Sequence, residues 1–451
     1  MKYSEIASAL NGRLFGADRP LQGVSIDSRS VAKDELFVAL KGERFNGHDF
    51  LREVAGRGAS GVMVQQRAEL DISQIVIDDT RLGLGRLARL WRDQYRPQLA
   101  AVTGSNGKTT VKEMLASIMR QAGETLVTQG NLNNDIGVPL TLLRLRDTHR
   151  YAVIEMGANH PGEIRYLSQL AAPDSAVITN AGPAHLEGFG TMEGVARAKA
   201  EIYEHIRPDG TAVINADDAF APLWREKTAH LRRIEFSLDG TADVSGRWEA
   251  SSNHLQISAR GDGCELRLPL PGRHNARNAL AAAATALSAG IEFAHIKRGL
   301  ESVQPVKGRL YPQRGLAGMQ ILDDTYNANP GSVQAALEVI TQSPGEAWLV
   351  LGDMGELGPG SAQQHERIGE LARAAGIRRL FTLGVLSKHA ARSFGKGAES
   401  YDSIPSLTDA LKAGAGPAVN LLIKGSRTMH MEQVVMELLA EPDRQAGKGG
   451  H

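Results

Sequence analysis

Thr103-Gly104-Ser105-Asn106-Gly107-Lys108-Thr109-Thr110 is the stretch that decides the fold of this chain. The apolar run Leu99-Ala100-Ala101-Val102 precedes it, and a helical pattern at Val111, Met114, Leu115, Ile118 and Met119 follows. A strand, a glycine-rich turn and a helix start in that order gather backbone N–H groups and the positive end of a helix dipole around one point, which suits phosphate. Lys108 adds a mobile cation for the terminal phosphates, and Thr109 is placed to offer a hydroxyl to Mg²⁺. The general P-loop holds more residues between its glycines, whereas Gly104 and Gly107 enclose only Ser105 and Asn106. Chance can produce such a turn, but its strand and helix flanks make a nucleoside triphosphate the expected ligand.

Composition bounds the rest. A chain of 451 residues has room for about three domains at roughly 150 residues each. Its 42% hydrophobic and 23% charged residues suit a soluble globular protein. Lys plus Arg and Asp plus Glu both total 51, and this balance gives no electrostatic footprint for nucleic acid or an anionic membrane. Cys264 is the single cysteine, so no internal disulfide forms, which fits a reducing compartment. It reads as an ordinary strand residue, with nothing to suggest a nucleophile. The Ala-rich stretch 279–289 is too short and too weakly apolar to span a membrane. Glu5 comes too early for a signal peptide, and a cytoplasmic protein is expected.

The pattern along the chain is α/β in three domains. Short strand-like runs at 24–26, 36–40, 61–64 and 75–77, with one clear helix at 48–58, suggest a small α/β domain over 1–80. Strands and helices then alternate over 81–308, as for a parallel sheet with helices on both faces. Its strand candidates are 99–103, 151–156, 176–180 and 211–215, and after 234–238 the runs 244–248, 254–259 and 264–270 look like an appended antiparallel β-unit. A Rossmann-like α/β domain occupies 309–451, with strands at 319–323, 348–351, 380–383 and 419–423, each followed by a helical pattern. The Gly-rich, charged tail at 443–451 is expected to be disordered.

Four groups of residues carry candidate chemistry. Glu155 ends a strand, and Asn180 begins a loop that reaches His185, so both would lie beside the P-loop at the carboxyl edge of the sheet. There a carboxylate can hold Mg²⁺ and an imidazole can ligate a second metal; the plain alternatives are a solvated acid and a packed turn histidine. Lys199, early in the next helix, reads from composition as a surface cation paired with an acid. Asn275 and Asn278 open an Ala-rich helix, where an amide suits an adenine edge or simply a helix cap. Asp323-Asp324-Thr325-Tyr326-Asn327-Ala328-Asn329-Pro330 offers Asp324 to ribose hydroxyls with Tyr326 stacking nearby; a polar turn into a helix explains Asn329 and Pro330 but not the doubled acid and aromatic.

Together the P-loop, Glu155-Met156-Gly157, Asn180 to His185, Lys199, the Asn275 and Asn278 pair and the Asp323 to Pro330 segment resemble the Mur ligase family, over about 25–432. Those enzymes are ATP-dependent amide-forming ligases of peptidoglycan assembly. Asn131-Leu132-Asn133-Asn134-Asp135-Ile136-Gly137-Val138-Pro139 and Lys424-Gly425-Ser426-Arg427 resemble the branch that joins D-Ala-D-Ala to UDP-MurNAc-tripeptide. Asp27-Ser28-Arg29, the run 36–40 and Gly47-His48-Asp49-Phe50 are similar to the uridine-diphosphate-binding domain of that branch. The Asp-Asn-Pro-Arg segment typical of the branch that adds the third residue is absent. The rivals are that branch, a folate polyglutamate synthetase, and a P-loop ATPase switch that joins nothing.

The resemblance implies a role for each of these residues. Thr103 to Thr110 bind the phosphates, with Asn275, Arg309, Asp324 and Tyr326 on the rest of ATP. Two Mg²⁺ are held by Thr109, Glu155, His185 and a carbamylated Lys199, and the last three join Lys108 as the catalytic set. Ser28, Arg29, Asn133, Asn134, Asn327, Asn329, Lys424, Ser426 and Arg427 contact the peptide substrates. A monomer is expected, with three domains closing on three substrates. Diaminopimelate and lysine both remain open as the third residue of the tripeptide.

Overall fold

Tyr3, Ile6 and Ala7 bury one face of a first helix, Tyr3–Ala9, which the strand-rich reading of this region did not anticipate. The helix lies so close to Gly61 that a Cβ there would come within 2.6 Å of the Tyr3 ring. The Tyr3 hydroxyl and the Ser60 Oγ share a buried hydrogen bond of 2.6 Å. Behind it stands a five-stranded sheet in the order Arg13–Phe15, Ser73–Val76, Gly61–Val64, Leu36–Val38, Val24–Ser25, antiparallel only at Arg13–Phe15. The computed structural model describes residues 1–43, 45–183 and 186–440. The tail expected to be disordered lies outside them. The helix expected at 48–58 divides into a 3-10 turn, Gly47–Phe50, and a helix, Leu51–Gly56.

The central sheet has nine strands. Its parallel part runs, edge inward, from Thr125–Val127 through Tyr151–Glu155, Gln98–Thr103, Ser175–Ile178 and Thr211–Asn215 to Arg232–Ser237. Val244–Glu249 continues it in parallel, and His254–Ala259 and Asp262–Arg267 extend it antiparallel, so the β-unit is part of the same sheet. From Gln98–Thr103 the chain goes out to the edge, returns beside that strand, and then crosses to its other side. The order of strands therefore reverses at the P-loop strand, which opens a crevice at its carboxyl end. The P-loop helix, Lys108–Ala122, is clamped by Arg273–Ser288 and Phe293–Glu301. Its fit against the latter leaves no room for a side chain at Gly299, which faces the Ile118 backbone.

Helix Thr80–Gln94 joins the first and central sheets, with Leu84, Leu87, Ala88 and Trp91 in one hydrophobic cluster that also holds Tyr3, Leu36, Leu99 and Val138. The third sheet has the order Tyr311–Arg314, Gln320–Asp324, Val419–Lys424, Glu346–Gly352, Arg379–Leu383, Ala398–Tyr401. Only the first pair is antiparallel, and separate apolar clusters cover its two faces. Among the described residues no helix is long and apolar enough to cross a membrane.

Candidate active site

The P-loop owes its shape to two glycines and to the loop after the next strand. Gly107 has φ 79°, and a Cβ there would lie 2.5 Å from Asn278 Oδ1; a Cβ on Gly104 would run into Thr179 Oγ1. The Ser105 amide donates to the Asn180 carbonyl (3.0 Å), and the Asn106 amide donates to Asn180 Oδ1 (3.0 Å). In return Thr179 Oγ1 and Asn180 Nδ2 donate to the Asn106 carbonyl at 2.6 and 3.0 Å. Lys108 Nζ folds back to donate to the Gly104 carbonyl at 2.7 Å. Burial draws its pKa down to about 8, with Glu155 opposing the shift and Arg309 adding to it.

Glu155 stands beside Val102 in register at the end of its strand and is only 2% exposed. Its Oε1 accepts from Asn133 Nδ2 at 2.8 Å, while its Oε2 is buried without a hydrogen-bond partner and lies 3.9 Å from Lys112 Nζ. A buried carboxylate oxygen left unpaired is costly in a protein alone. Mg²⁺ takes one or two protein carboxylates and fills its shell with phosphate and water, so this oxygen fits one as a ligand. Among the described residues no three His, Cys, Asp or Glu side chains gather into a metal centre. His185, the expected second ligand, lies outside the described residues.

Lys199 closes helix Met192–Ala200, in its last turn rather than early in it. It is 1% exposed, which overturns the surface cation read from composition. Desolvation first, and the like charge of Lys108 second, bring its pKa to about 7. Glu163 and Glu201 oppose that shift, but both carboxylates are engaged with backbone. Glu163 accepts from the Asn159 and His160 amides, and Glu201 from those of Gly162 and Arg165.

Two clefts meet at the P-loop. The larger, of about 770 Å³, is lined by Lys108, Asn133, Asn134 and Glu155 of the central domain, by Asp79 and Arg81 at the start of the joining helix, and by Arg309, Tyr326, Asn327 and Asn329 of the third domain. The smaller, about 270 Å³, runs between Asn106, Gly107, His274, Asn275 and Asn278 on one side and Arg309, Asp324 and Lys424 on the other. Helix Arg273–Ser288 is capped by Gly272, so Asn275 is not its cap; Asn275 donates to the Pro271 carbonyl (2.8 Å) and accepts from Asn278 Nδ2 (3.2 Å). Burial pushes the neighbouring His274 down to about 4, and its Nδ1 is buried without a partner.

Three family models together match most of this chain: "Mur ligase family, catalytic domain" over residues 20–122, "Mur ligase middle domain" over 102–286, and "Mur ligase, glutamate ligase domain" over 308–427. The UDP-N-acetylmuramoyl-tripeptide–D-alanyl-D-alanine ligase of Escherichia coli strain K12 is 42% identical over 445 residues, 96% of this chain and 97% of its own length. The chain belongs to the Mur ligase family. Among solved structures, the UDP-N-acetylmuramoylalanyl-D-glutamyl-2,6-diaminopimelate–D-alanyl-D-alanyl ligase of Acinetobacter baumannii superposes with TM-score 0.85 at 36% identity, covering 98% of both chains. The Thermotoga maritima MurF ligase in complex with ADP superposes at 0.83 with 27% identity, covering 95% of this chain and 98% of that one.

In this Mur ligase the expected third-domain residues are bound to one another. Lys424 Nζ donates to Asp324 Oδ2 (2.5 Å) and to the Asn327 carbonyl (2.8 Å), because Asp324 and Lys424 are paired in register on adjacent strands. Asp323 is turned to the Thr325 amide and hydroxyl, so only Asp324 reaches the cleft. Tyr326 stands under the Arg309 guanidinium, 4.0 Å from its ring centre, and lines the larger cleft rather than the smaller one that holds Asp324. Ser28, Arg29, Ser426 and Arg427 line neither cleft; Arg29 forms a bidentate pair with Asp27, and Arg427 pairs with Glu432 at 3.3 Å. Sequence reading missed Arg81, Thr179 and the tie from Asn329 Nδ2 to Asn106 Oδ1, 2.8 Å long and 223 residues apart. The unanticipated Arg81 does follow Asp79, whose carboxylate caps its helix, a readable start signal.

Proposed function

We infer that this Mur ligase joins D-Ala-D-Ala to UDP-MurNAc-tripeptide with ATP, releasing UDP-MurNAc-pentapeptide, ADP and phosphate. The observation that carries this reading is the larger cleft, where the P-loop lysine, a buried carboxylate with an unpaired oxygen, and residues of the third domain face one shared volume. The product serves peptidoglycan and cell-wall synthesis, hence cell shape and division. A carboxylate is a poor acyl donor. Its oxygen first attacks the γ-phosphorus, ADP leaves, and an acyl phosphate results; the dipeptide amine then attacks the acyl carbon, loses a proton and expels phosphate.

Two anions meet in the first step. The Lys108 ammonium supports the charge that develops on the transferring phosphate. Thr109, Glu155, His185 and a carbamylated Lys199 would hold Mg²⁺, which when bound neutralises phosphate charge. A lysine carbamate forms from the neutral amine and CO₂, so the depressed pKa of Lys199 favours it. Asn275, Asn278, Arg309 and Asp324 frame the smaller cleft for the nucleoside, with Asn275 offering an amide to adenine. An acyl phosphate hydrolyses readily, so domain closure that expels water is part of the chemistry. The central and third domains of the same chain both line the cleft, which is consistent with a monomer as the working unit, and the use of ATP with a UDP-linked substrate suits a cytoplasmic reaction.

Phosphate release from ATP, measured with each candidate amine in turn, tests the assignment. Release should require both UDP-MurNAc-tripeptide and D-Ala-D-Ala. Joining of a free diamino acid to the UDP-linked dipeptide would make this the third-residue ligase instead.

A further inference from the structure

In the reaction inferred above the acyl donor is the third residue's own carboxylate, and a subsite for that residue depends on this reaction being the right one. The side chain of the third residue begins beside the reacting carbon, so it must lie in the larger cleft near Lys108 and Glu155. We propose that Arg81 and Asp135 form the subsite for the end of this side chain, and that the subsite is built for an end bearing both an ammonium and a carboxylate, as in 2,6-diaminopimelate.

Asn133 holds Glu155 directly, and Asp135 stands two residues further along the same wall. Both ends of the Arg81–Asp135 pair have fixed backbones. Asp79 Oδ1 accepts from the Arg81 and Leu82 amides at 2.8 and 2.9 Å, and Asn134 Oδ1 accepts from the Gly137 amide at 2.9 Å.

The other charged groups of the cleft are already committed. Of the cations lining it, Lys108 serves the P-loop, and Arg309 covers Tyr326 and also lines the smaller cleft. Arg81 remains. Of the carboxylates, Glu155 faces the phosphate end, and Asp79 and Glu163 each hold backbone amides of their own segment. Asp135 is the one paired with a cation of the same cleft, Arg81.

Unused hydrogen-bonding capacity then selects the ligand. Arg81 uses Nε and Nη2 on the two oxygens of Asp135, the latter at 2.9 Å. A guanidinium has three further N–H donors, and each carboxylate oxygen has a further lone pair. The side chains are 52% and 34% exposed, so as a mere strut the pair contributes little stability. Its open edges match a zwitterion: carboxylate on the free N–H groups of Arg81, ammonium on Asp135. A lysine end fills only the Asp135 half.

The test uses the whole enzyme with UDP-MurNAc-tripeptides ending in meso-diaminopimelate, in diaminopimelate with its distal carboxylate amidated, and in L-lysine. A charge-assisted hydrogen bond at a half-exposed site corresponds to about tenfold in kcat/KM. The diaminopimelate substrate should therefore exceed both others by about that factor in the wild-type enzyme. Arg81→Gln should collapse this ratio toward one, mainly through KM for the tripeptide and with KM for ATP unmoved, and Arg81→Lys should recover part of it. Equal use of all three tripeptides by the wild type, a comparison that needs no variant to fold, overturns the subsite. An equal loss for all three in Arg81→Gln does so too, because it marks a structural role. Absence of D-Ala-D-Ala-dependent phosphate release with every tripeptide instead overturns the reaction on which the subsite rests.

Discussion

Replacing Asn329 by serine keeps a helix cap and removes an interdomain hydrogen bond. Asn329 Oδ1 accepts from the Ser332 amide at 2.9 Å, and Ser332 Oγ accepts from the Asn329 amide at 3.0 Å, which caps helix Pro330–Ile340. Nδ2 of the same side chain donates to Asn106 Oδ1 in the P-loop at 2.8 Å. Serine caps as well as asparagine but is too short to reach the P-loop. Asn106 is only half-buried, so water can replace the lost donor, and the net cost is about 1 kcal/mol, roughly fivefold in a rate or binding constant. We expect kcat/KM for ATP to fall by about fivefold in Asn329→Ser, with unfolding stability in urea lowered by no more than about 1 kcal/mol. Asn329→Ala should show the same kinetic loss plus about 1 kcal/mol of destabilisation from the missing cap. Asn106→Ala should match Asn329→Ser, and the double variant should lose no more than either alone. Wild-type kinetics in Asn329→Ser, or additive losses in the double variant, would refute the idea that this bond couples third-domain position to the phosphate site.

Lys108→Ala should abolish ligation, by about a hundredfold or more in kcat, with an unchanged circular dichroism spectrum. With its pKa near 8 in the free enzyme, Lys108 is charged below that pH and neutral above it, so kcat/KM for ATP should fall as pH rises through about 8 and Lys108→Arg should flatten that limb. The stability sign is opposite: the depressed pKa is a cost to the folded state that is full below pH 8 and is relieved as pH climbs toward 10.5, which urea titrations at several pH values would show. Lys199→Arg should lose most activity and Lys199→Ala should be partly rescued by a small carboxylic acid in solution; full activity of the arginine variant contradicts the carbamate. Gly299→Val should destabilise by about 1–3 kcal/mol in thermal unfolding, because the added side chain meets the Ile118 backbone.

What the sequence reveals is what is written locally. The P-loop and Glu155 sit at strand ends bounded by continuous apolar runs, and both strands are buried along almost their whole length. The missed strands Arg13–Phe15, Thr125–Val127, Tyr311–Arg314 and Ala398–Tyr401 all stand at sheet edges. An edge strand is short and partly solvated, so it carries neither a long apolar run nor clean alternation. The contacts that complete the site are non-local in the same way. Asn106 meets Asn329, and Arg81 meets Asp135 from 54 residues away, through the packing of separate elements that no local pattern encodes. The Asp324–Lys424 pair joins two motifs that were each legible, yet their mutual neutralisation follows only from the strand order of the third sheet.

Lys199 shows how packing can reverse a compositional reading. In its helix, Arg197 meets Glu193 one turn back, the exposed pair that composition leads one to expect. Lys199 is two residues further on, about 200° around the helix, and so points into the protein. There it has the Phe189 ring 5.5 Å from its nitrogen and Lys108 as a like-charged neighbour. The nearby carboxylates of Glu163 and Glu201 offset this only in part, since backbone amides already draw on their negative charge. With a pKa of about 7 rather than 10.5, about half the amine is neutral at pH 7 instead of roughly one part in 3,000. A nucleophilic amine next to a phosphate site can take up CO₂ and become an anion, which exchanges repulsion with Lys108 for attraction. Under the reaction proposed above, the burial that makes a lysine costly at this position would also equip it to serve as a metal ligand.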